Sequence, residues 1–266
     1  MTQTPDVYML RRDDVGARRL RLVNDAYGPA SRAVLHASGL REGARVVELG
    51  CGTGQMTRWL AEQVGPSGTV SAVDRSADQL EFARQHCGDR PWVTFHEADA
   101  AATGLAPHSF DLVFIRLLLM HVPEPDRVIG HARELLRPGG VLACEELVIT
   151  SSFCYPPQPA QGELHRMALT MAAGRGCDFD IGGRLHRLMS DAGFEIIGAG
   201  AHQPTSATDD SKHIEHLSLR ETVQFLRDAE QVERVMGVVD ALEAAANDPK
   251  VVYGQSRMVQ VWGRSR

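Results

Sequence analysis

Three glycines stand at alternate positions in "VVELGCGTGQ": Gly50, Gly52 and Gly54 follow the strand-like run that ends at Leu49. Glycine reaches φ > 0 and carries no Cβ, so such a turn lets a ligand meet bare backbone. Glu48 precedes the turn and Gln55 closes it. A dinucleotide turn, G-x-G-x-x-G, needs glycine where Gln55 stands, and its pyrophosphate would be repelled by Glu48. A carboxylate there suits a ligand carrying an ammonium or sulfonium group instead. Asp74 lies roughly twenty residues beyond, where a carboxylate can bind both hydroxyls of a ribose. Asp99 is available to an exocyclic adenine amine. His121 and the pair Glu145 and Glu146 supply groups able to move a proton.

The elements that must position these residues follow from the hydrophobic period. Asp6 to Leu40 reads as helical, broken into two pieces by Gly28-Pro29. Ala44 to Leu49 is a short apolar run of the kind seen in buried parallel strands. "QMTRWLAEQVG" follows as a helix, then "TVSAVD" as a strand and "SADQLEFARQHCG" as a helix with Ser76 at its N-cap. "WVTFHEAD" and "FDLVFIR" are the third and fourth strands. "PDRVIGHARELLRPGG" is a helix stopped by Pro138-Gly139-Gly140, and "VLACEELV" is the fifth strand. This alternation is the sequence form of a doubly wound α/β sheet. Beyond Ile149 come a proline-rich loop, a helix around Glu163 to Ala173, and a helix and strand in "RLHRLMSDAGFEIIGAG". Asp209 to Ala246 is helical and polar, and "RMVQVWGR" is a last strand.

Five ordered pieces, "VVELGCGTG", "AVDRSADQLEFAR", "EADA", "FDLVFIRLLLMHVPEP" and "LLRPGGVL", resemble the class I S-adenosylmethionine-dependent methyltransferases, in particular the branch acting on small molecules. The resemblance covers residues 44–147, and the later "LHRLMSDAGFEII" is similar to the family's sixth helix and strand. It implies an α/β fold, a doubly wound, mostly parallel seven-stranded Rossmann-like sheet. The division it suggests is an N-terminal helical extension or lid (1–40), a cofactor-binding core (41–150), and a substrate-cap insertion (151–180). A core helix and strand (181–204), a helical cap (205–250) and a final core strand (251–266) complete it. By the resemblance Gly50, Cys51, Gly52, Gly54 and Gln55 cradle the methionine part of S-adenosylmethionine, Glu48 orients its ammonium, and Asp74 holds its ribose. Arg75 borders the adenine, and Leu80 either does so or packs in the core. Asp99 and Ala100 meet the adenine edge. Arg116 stands where many relatives carry a small or amide residue, which leaves its role open. Tyr8 and Tyr27 either close over the cofactor or pack.

Methyl transfer is an in-line displacement with S-adenosylhomocysteine as product, so placement and desolvation of the acceptor matter most. His121 is either a base facing the pocket or a packing histidine before Pro123. One of Glu145 and Glu146 points toward substrate, and alternation does not say which. His165, His202, His213 and His216 fall in the cap segments, most of them expected at the surface. The net charge of -6 argues against a broadly basic nucleic-acid surface. The five scattered cysteines, with no C-x-x-C pair, point to a reducing cytoplasmic setting and to no metal site. The N-terminus lacks the pattern of a signal peptide, and no apolar stretch suits a membrane span. The partner expected is a small-molecule methyl acceptor, with association of copies through the N-terminal helices as a further expectation. A non-methylating, cyclase-like enzyme on the same fold is the alternative. An NAD-dependent oxidoreductase is disfavoured by the glycine spacing.

Overall fold

The computed structural model describes residues 14–266. Helix α1 (Asp14–Ala37) leads into β1 (Arg45–Leu49), α2 (Gln55–Val64), β2 (Thr69–Asp74), α3 (Ala77–Cys87) and β3 (Val93–Glu97). Then come β4 (Phe110–Arg116), α4 (Pro125–Leu135), β5 (Leu136–Val148), β6 (Phe153–Tyr155) and α5 (Pro159–Ala173). The chain continues through α6 (Leu185–Asp191), β7 (Phe194–His202), β8 (Thr205–Ser206) and α7 (Ile214–Thr222). It finishes with α8 (Ala229–Asn247), β9 (Val252–Gly254) and β10 (Arg257–Ser265).

Two compact units are built from these elements. One, the sheet unit, comprises residues 28–150, 169–202 and 257–266. Its seven strands lie in the order β3-β2-β1-β4-β5-β10-β7. Neighbours from β3 to β5 pair in parallel, while β10 runs antiparallel to both β5 and β7. Chain order reverses between β1 and β4, so the switch point of the sheet falls at their carboxyl ends. Strand β1 is buried along Val46, Val47, Glu48 and Leu49, as a strand covered on both faces must be. Met56, Leu60, Ala61 and Val64 of α2 recur at helical spacing and pack on Val46, Val70, Leu112 and Phe114 of the sheet. Ser76 caps α3 by accepting from the Gln79 N–H at 3.3 Å.

The other unit takes the described residues up to Tyr27 together with 151–168 and 203–256. Leu164 of α5, Leu219 of α7 and Val235, Val239 and Leu242 of α8 form its core. A small sheet in the order β6-β9-β8 lies in the same unit. Arg19 and Glu221 form a buried ion pair at 2.9 Å, and the Tyr27 hydroxyl donates to the Ser256 carbonyl at 2.7 Å. The units divide the chain differently from the sequence expectation, since residues 28–40 and 169–180 fall in the sheet unit.

Local expectations needed correction in three places. Gly28-Pro29 does not break the first helix: α1 runs through Pro29 without interruption. A proline inside a helix costs about 3 kcal/mol. Here its neighbours Tyr27 and Ser31 are each buried and hydrogen-bonded, which offsets that cost. Helix α4 stops at Leu135 rather than at the Pro-Gly-Gly, because β5 already begins at Leu136, which pairs with Phe110. Helix α5 begins at Pro159, one turn earlier than the sequence pattern suggests, since proline is accommodated at a helix start.

Candidate cofactor and active site

The glycine loop links β1 to α2 at the switch point. Gly50, Gly52 and Gly54 all have positive φ, at 78°, 52° and 77°. Gly54 has a packing reason as well, because a Cβ there would sit 2.9 Å from the Ala83 backbone and side chain of α3. At Gly52 no atom lies within 4 Å of where a Cβ would be, so bare backbone faces open space. The loop is tied from beneath: Gly50 and Cys51 donate their N–H groups to the Val73 carbonyl at 2.8 and 2.9 Å. Asp74, 6% exposed, accepts from the Gly52 N–H at 2.9 Å and from the Ser76 N–H at 3.0 Å, one on each carboxylate oxygen. A carboxylate oxygen accepts more than one hydrogen bond, so both retain capacity for a diol.

Glu48 is not a solvated strand-end charge. It is buried beneath the loop and accepts from the Thr57 hydroxyl of α2 at 2.5 Å. Burial pushes its carboxyl up to about 7, against the pull of Thr57 and of the Arg116 charge. Arg75 and Asp99 are exposed at the ends of β2 and β3, Ala100 is half-buried, and Asp99 accepts from the Ala101 N–H at 2.7 Å. Leu80 resolves to the core: it is fully buried and packs with Cys51 and Ala72 under the loop, with Phe95 at the edge. Gln55 opens α2 and is half-buried.

The loop after β4 forms the second wall. Leu117 has φ 54°, an uncommon left-handed conformation for a residue with a branched side chain. Leu118 follows, and its side chain would lie 3.1 Å from a Cβ at Gly50, so the two loops are in close contact. His121 ends the short 3-10 turn Leu119–His121, half-buried, with its ring edge-on to Phe179 at 5.5 Å.

Glu145 and Glu146 are both fully buried, and each is engaged by hydrogen bonds within the protein. Glu146 accepts from the N–H groups of Leu118, Leu119 and Met120 at 2.8, 2.5 and 3.4 Å, and so holds the turn that carries His121. Burial pushes it up to about 8. Glu145 accepts from the Ser31 hydroxyl at 2.6 Å and from the Gln260 amide at 2.5 Å. Burial raises its carboxyl too, while Ser31, Arg116 and Gln260 pull it down. Arg116 is half-buried, with its guanidinium 3.4 Å from the Ser31 hydroxyl and attracted by both Glu145 and Glu48.

Other expectations separate in the same way. Tyr27 is 2% exposed with its hydroxyl committed to Ser256, so its body is core rather than cover; Tyr8 lies outside the described residues. Burial pushes the Cys51 thiol far above its ordinary range, which removes it as a nucleophile. His202 belongs to β7 of the sheet unit, and His216 is buried, with His213 Nδ1 2.9 Å from its Nε2. Sequence reasoning passed over Ser31, Thr57, Gln260 and Phe179. Only Gln260, a polar residue amid the apolar run of the final strand, carried a signal of a buried partner. Among the described residues no group of three or more His, Cys, Asp or Glu side chains is arranged to hold a metal ion, and no helix is long and apolar enough to cross a membrane.

The sheet is doubly wound, with a glycine loop at its switch point, an acid at the end of β2 and exposed polar groups beyond β3. Residues 47–144 match the family described as methyltransferase domain. Over that stretch the chain is similar to this family, and the curated relatives with which it aligns include methyltransferases. The ubiquinone/menaquinone biosynthesis C-methyltransferase UbiE of Hahella chejuensis is 35% identical over 114 residues, 42% of this chain and 46% of the relative. The chain spans about half or less of the length of the curated relatives it matches. The fold is shared with a crystal structure of an S-adenosylmethionine-dependent methyltransferase from Mesorhizobium loti. That likeness has a TM-score of 0.55 at 20% identity, covering 91% of this chain and 99% of the other. Phosphoethanolamine N-methyltransferase 2 of Haemonchus contortus, solved with S-adenosylhomocysteine, has the same fold. Its TM-score is 0.60 at 18% identity, covering 98% of this chain and 61% of that one.

Proposed function

We propose that this chain transfers the methyl group of S-adenosylmethionine to an oxygen, nitrogen or carbon atom of a small organic acceptor, a secondary metabolite or quinone-like compound. The observation that carries this reading is Asp74, which ties the glycine loop to the start of α3 with one oxygen each and keeps lone pairs for a ribose diol. The cofactor supplies an electrophilic methyl on a sulfonium and a good leaving group. The chain's own residues do the rest. Asp74 binds the ribose, the open backbone face at Gly52 admits the methionine portion, and the buried carboxyl of Glu48 attracts its ammonium when ionised. Asp99 is exposed to accept from the adenine amine, and Leu80 supports the loop from below.

With Glu145 and Glu146 engaged inside the protein, His121 is the group left to take a proton from an acceptor of high pKa. Its turn is held by Glu146, which fixes where the ring stands. The helical unit is not part of the matched domain, and selection of the acceptor is the role proposed for it. Similarity to UbiE supports a quinone-like acceptor class, and five cysteines without a disulfide fit a reducing, cytoplasmic compartment.

Calorimetry with S-adenosylhomocysteine on the wild type and on Asp74→Ala tests the reading. Loss of two charge-assisted hydrogen bonds predicts an affinity at least about tenfold weaker in the variant. Unchanged affinity removes the assignment. Release of S-adenosylhomocysteine only when an acceptor is present identifies a transferase; conversion of a substrate without that release identifies the cyclase-like alternative.

A further inference from the structure

We propose that Arg116 is a positioning residue: one guanidinium shared by the buried carboxylates Glu48 and Glu145, through which the strand ends beside the glycine loop are tied to the Ser31 segment of α1. Arg116 is the last residue of β4, which lies between β1 and β5, and its register partner is Glu145. Ser31 is fully buried; its hydroxyl donates to Glu145 at 2.6 Å and lies 3.4 Å from the Arg116 guanidinium. Gln260 of β10 completes Glu145 from the other side. Glu48, 4% exposed, has Thr57 as its hydrogen-bond donor and Arg116 as the cation attracting it.

Two buried acids thus depend on one cation. The remaining charges do not replace it. Asp74 faces Glu48 and opposes its ionisation, and Glu146 and Glu145 oppose each other. His202 assists Glu145 at a distance, while Arg32 repels Arg116 itself. The thiols of Cys51, Cys87 and Cys144 also face these acids and stay neutral, since burial raises all three. Removing one partner of a buried charge set leaves the others uncompensated, and that penalty depends on whether the acids are ionised. A guanidinium that only filled space would give a loss independent of pH.

The test compares Arg116→Met and Arg116→Lys with the wild type in ligand-free thermal unfolding from pH 6 to pH 9. The expected deficit of the methionine variant grows by roughly twofold or more across that range, as the acids ionise without a counter-charge. Lysine, which keeps the charge but not the planar fork, recovers part of the loss at the alkaline end. A deficit that is constant with pH, or a lysine variant no better than methionine, overturns the proposal. Where Arg116→Met does not fold, adding Glu145→Gln removes one of the two acids and is expected to restore folding; failure to rescue also overturns it. The inference rests on the cofactor reading only in its consequence, a weaker affinity of Arg116→Met for S-adenosylhomocysteine at pH 8 than at pH 6.5 relative to wild type. Wild-type protein that binds no S-adenosylhomocysteine refutes the cofactor reading, while the unfolding series still decides the role of Arg116.

Discussion

Cys51 sits among the loop glycines, yet burial raises its thiol, and the buried Cys87, Cys144 and Cys154 share that fate. Cys177 is half-exposed; burial raises its thiol too, with Arg175 and Arg75 pulling it down. Alkylation of the native protein is therefore expected to label Cys177 well before the other four, as followed by peptide mass spectrometry; early labelling of Cys51 would contradict its burial. Gly54 gives a sharper expectation. Alanine there combines a left-handed backbone with a Cβ 2.9 Å from Ala83. Gly54→Ala should destabilise by about 3 kcal/mol, from about 1 kcal/mol of backbone strain and the overpacking that follows, read as a lower urea midpoint. At His121 a base role predicts that His121→Asn lowers kcat by about a hundredfold or more and flattens the acid limb of the rate profile. A loss in KM alone would mark the ring as packing against Phe179.

At the scale of elements, the turn after β4 is the part most dependent on one side chain. Glu146 reaches from β5 to satisfy the N–H groups of Leu118 and Leu119, just after the left-handed Leu117. Glu146→Ala leaves those donors without an acceptor in a buried place, at a cost of about 3 kcal/mol, or a fall of about 8 °C in Tm. Because the same turn carries His121, kcat is expected to fall by more than cofactor affinity does; an equal loss in both would argue that the turn serves the cofactor alone. Helix α1 shows the limit of local rules. Its Gly-Pro pair reads as a break, and burial of the residues on either side overrides it.

For the whole molecule, buried acids set the response to pH. Glu48 and Glu215 are raised to about 7 and Glu146 to about 8, so the native protein holds protons that the unfolded chain has already released above its ordinary carboxyl range. Stability from these groups is full at low pH and is lost as pH rises through 7 and 8. His216 acts in the opposite sense: burial lowers it to about 4, so its contribution is lost as pH falls from 6.5 toward that value. The expected Tm therefore falls as pH rises from about 4.5 and levels off near pH 9, with His216 offsetting part of that slope below pH 6.5. Thermal scans across that range check it, and Glu146→Gln should flatten the alkaline limb.

The order of strands and helices in the seven-stranded sheet, the glycine loop, and the acids Glu48, Asp74 and Asp99 at strand ends were legible in the sequence, whereas the small sheet of β6, β8 and β9 was not. Period, breakers and spacing are local properties, and the family's motifs are contiguous. The fates of Glu145, Glu146, Leu80 and Tyr27 were not, since alternation says which residues share a face but not whether that face meets solvent or a hydrogen-bond partner far along the chain. Ser31 reaches Glu145 across a sequence separation of 114 residues, and Gln260 reaches it across 115. Burial and long-range pairing exist only once the sheet has assembled. They engage both strand-five acids in hydrogen bonds inside the protein and bring the Arg116 guanidinium to the Ser31 hydroxyl.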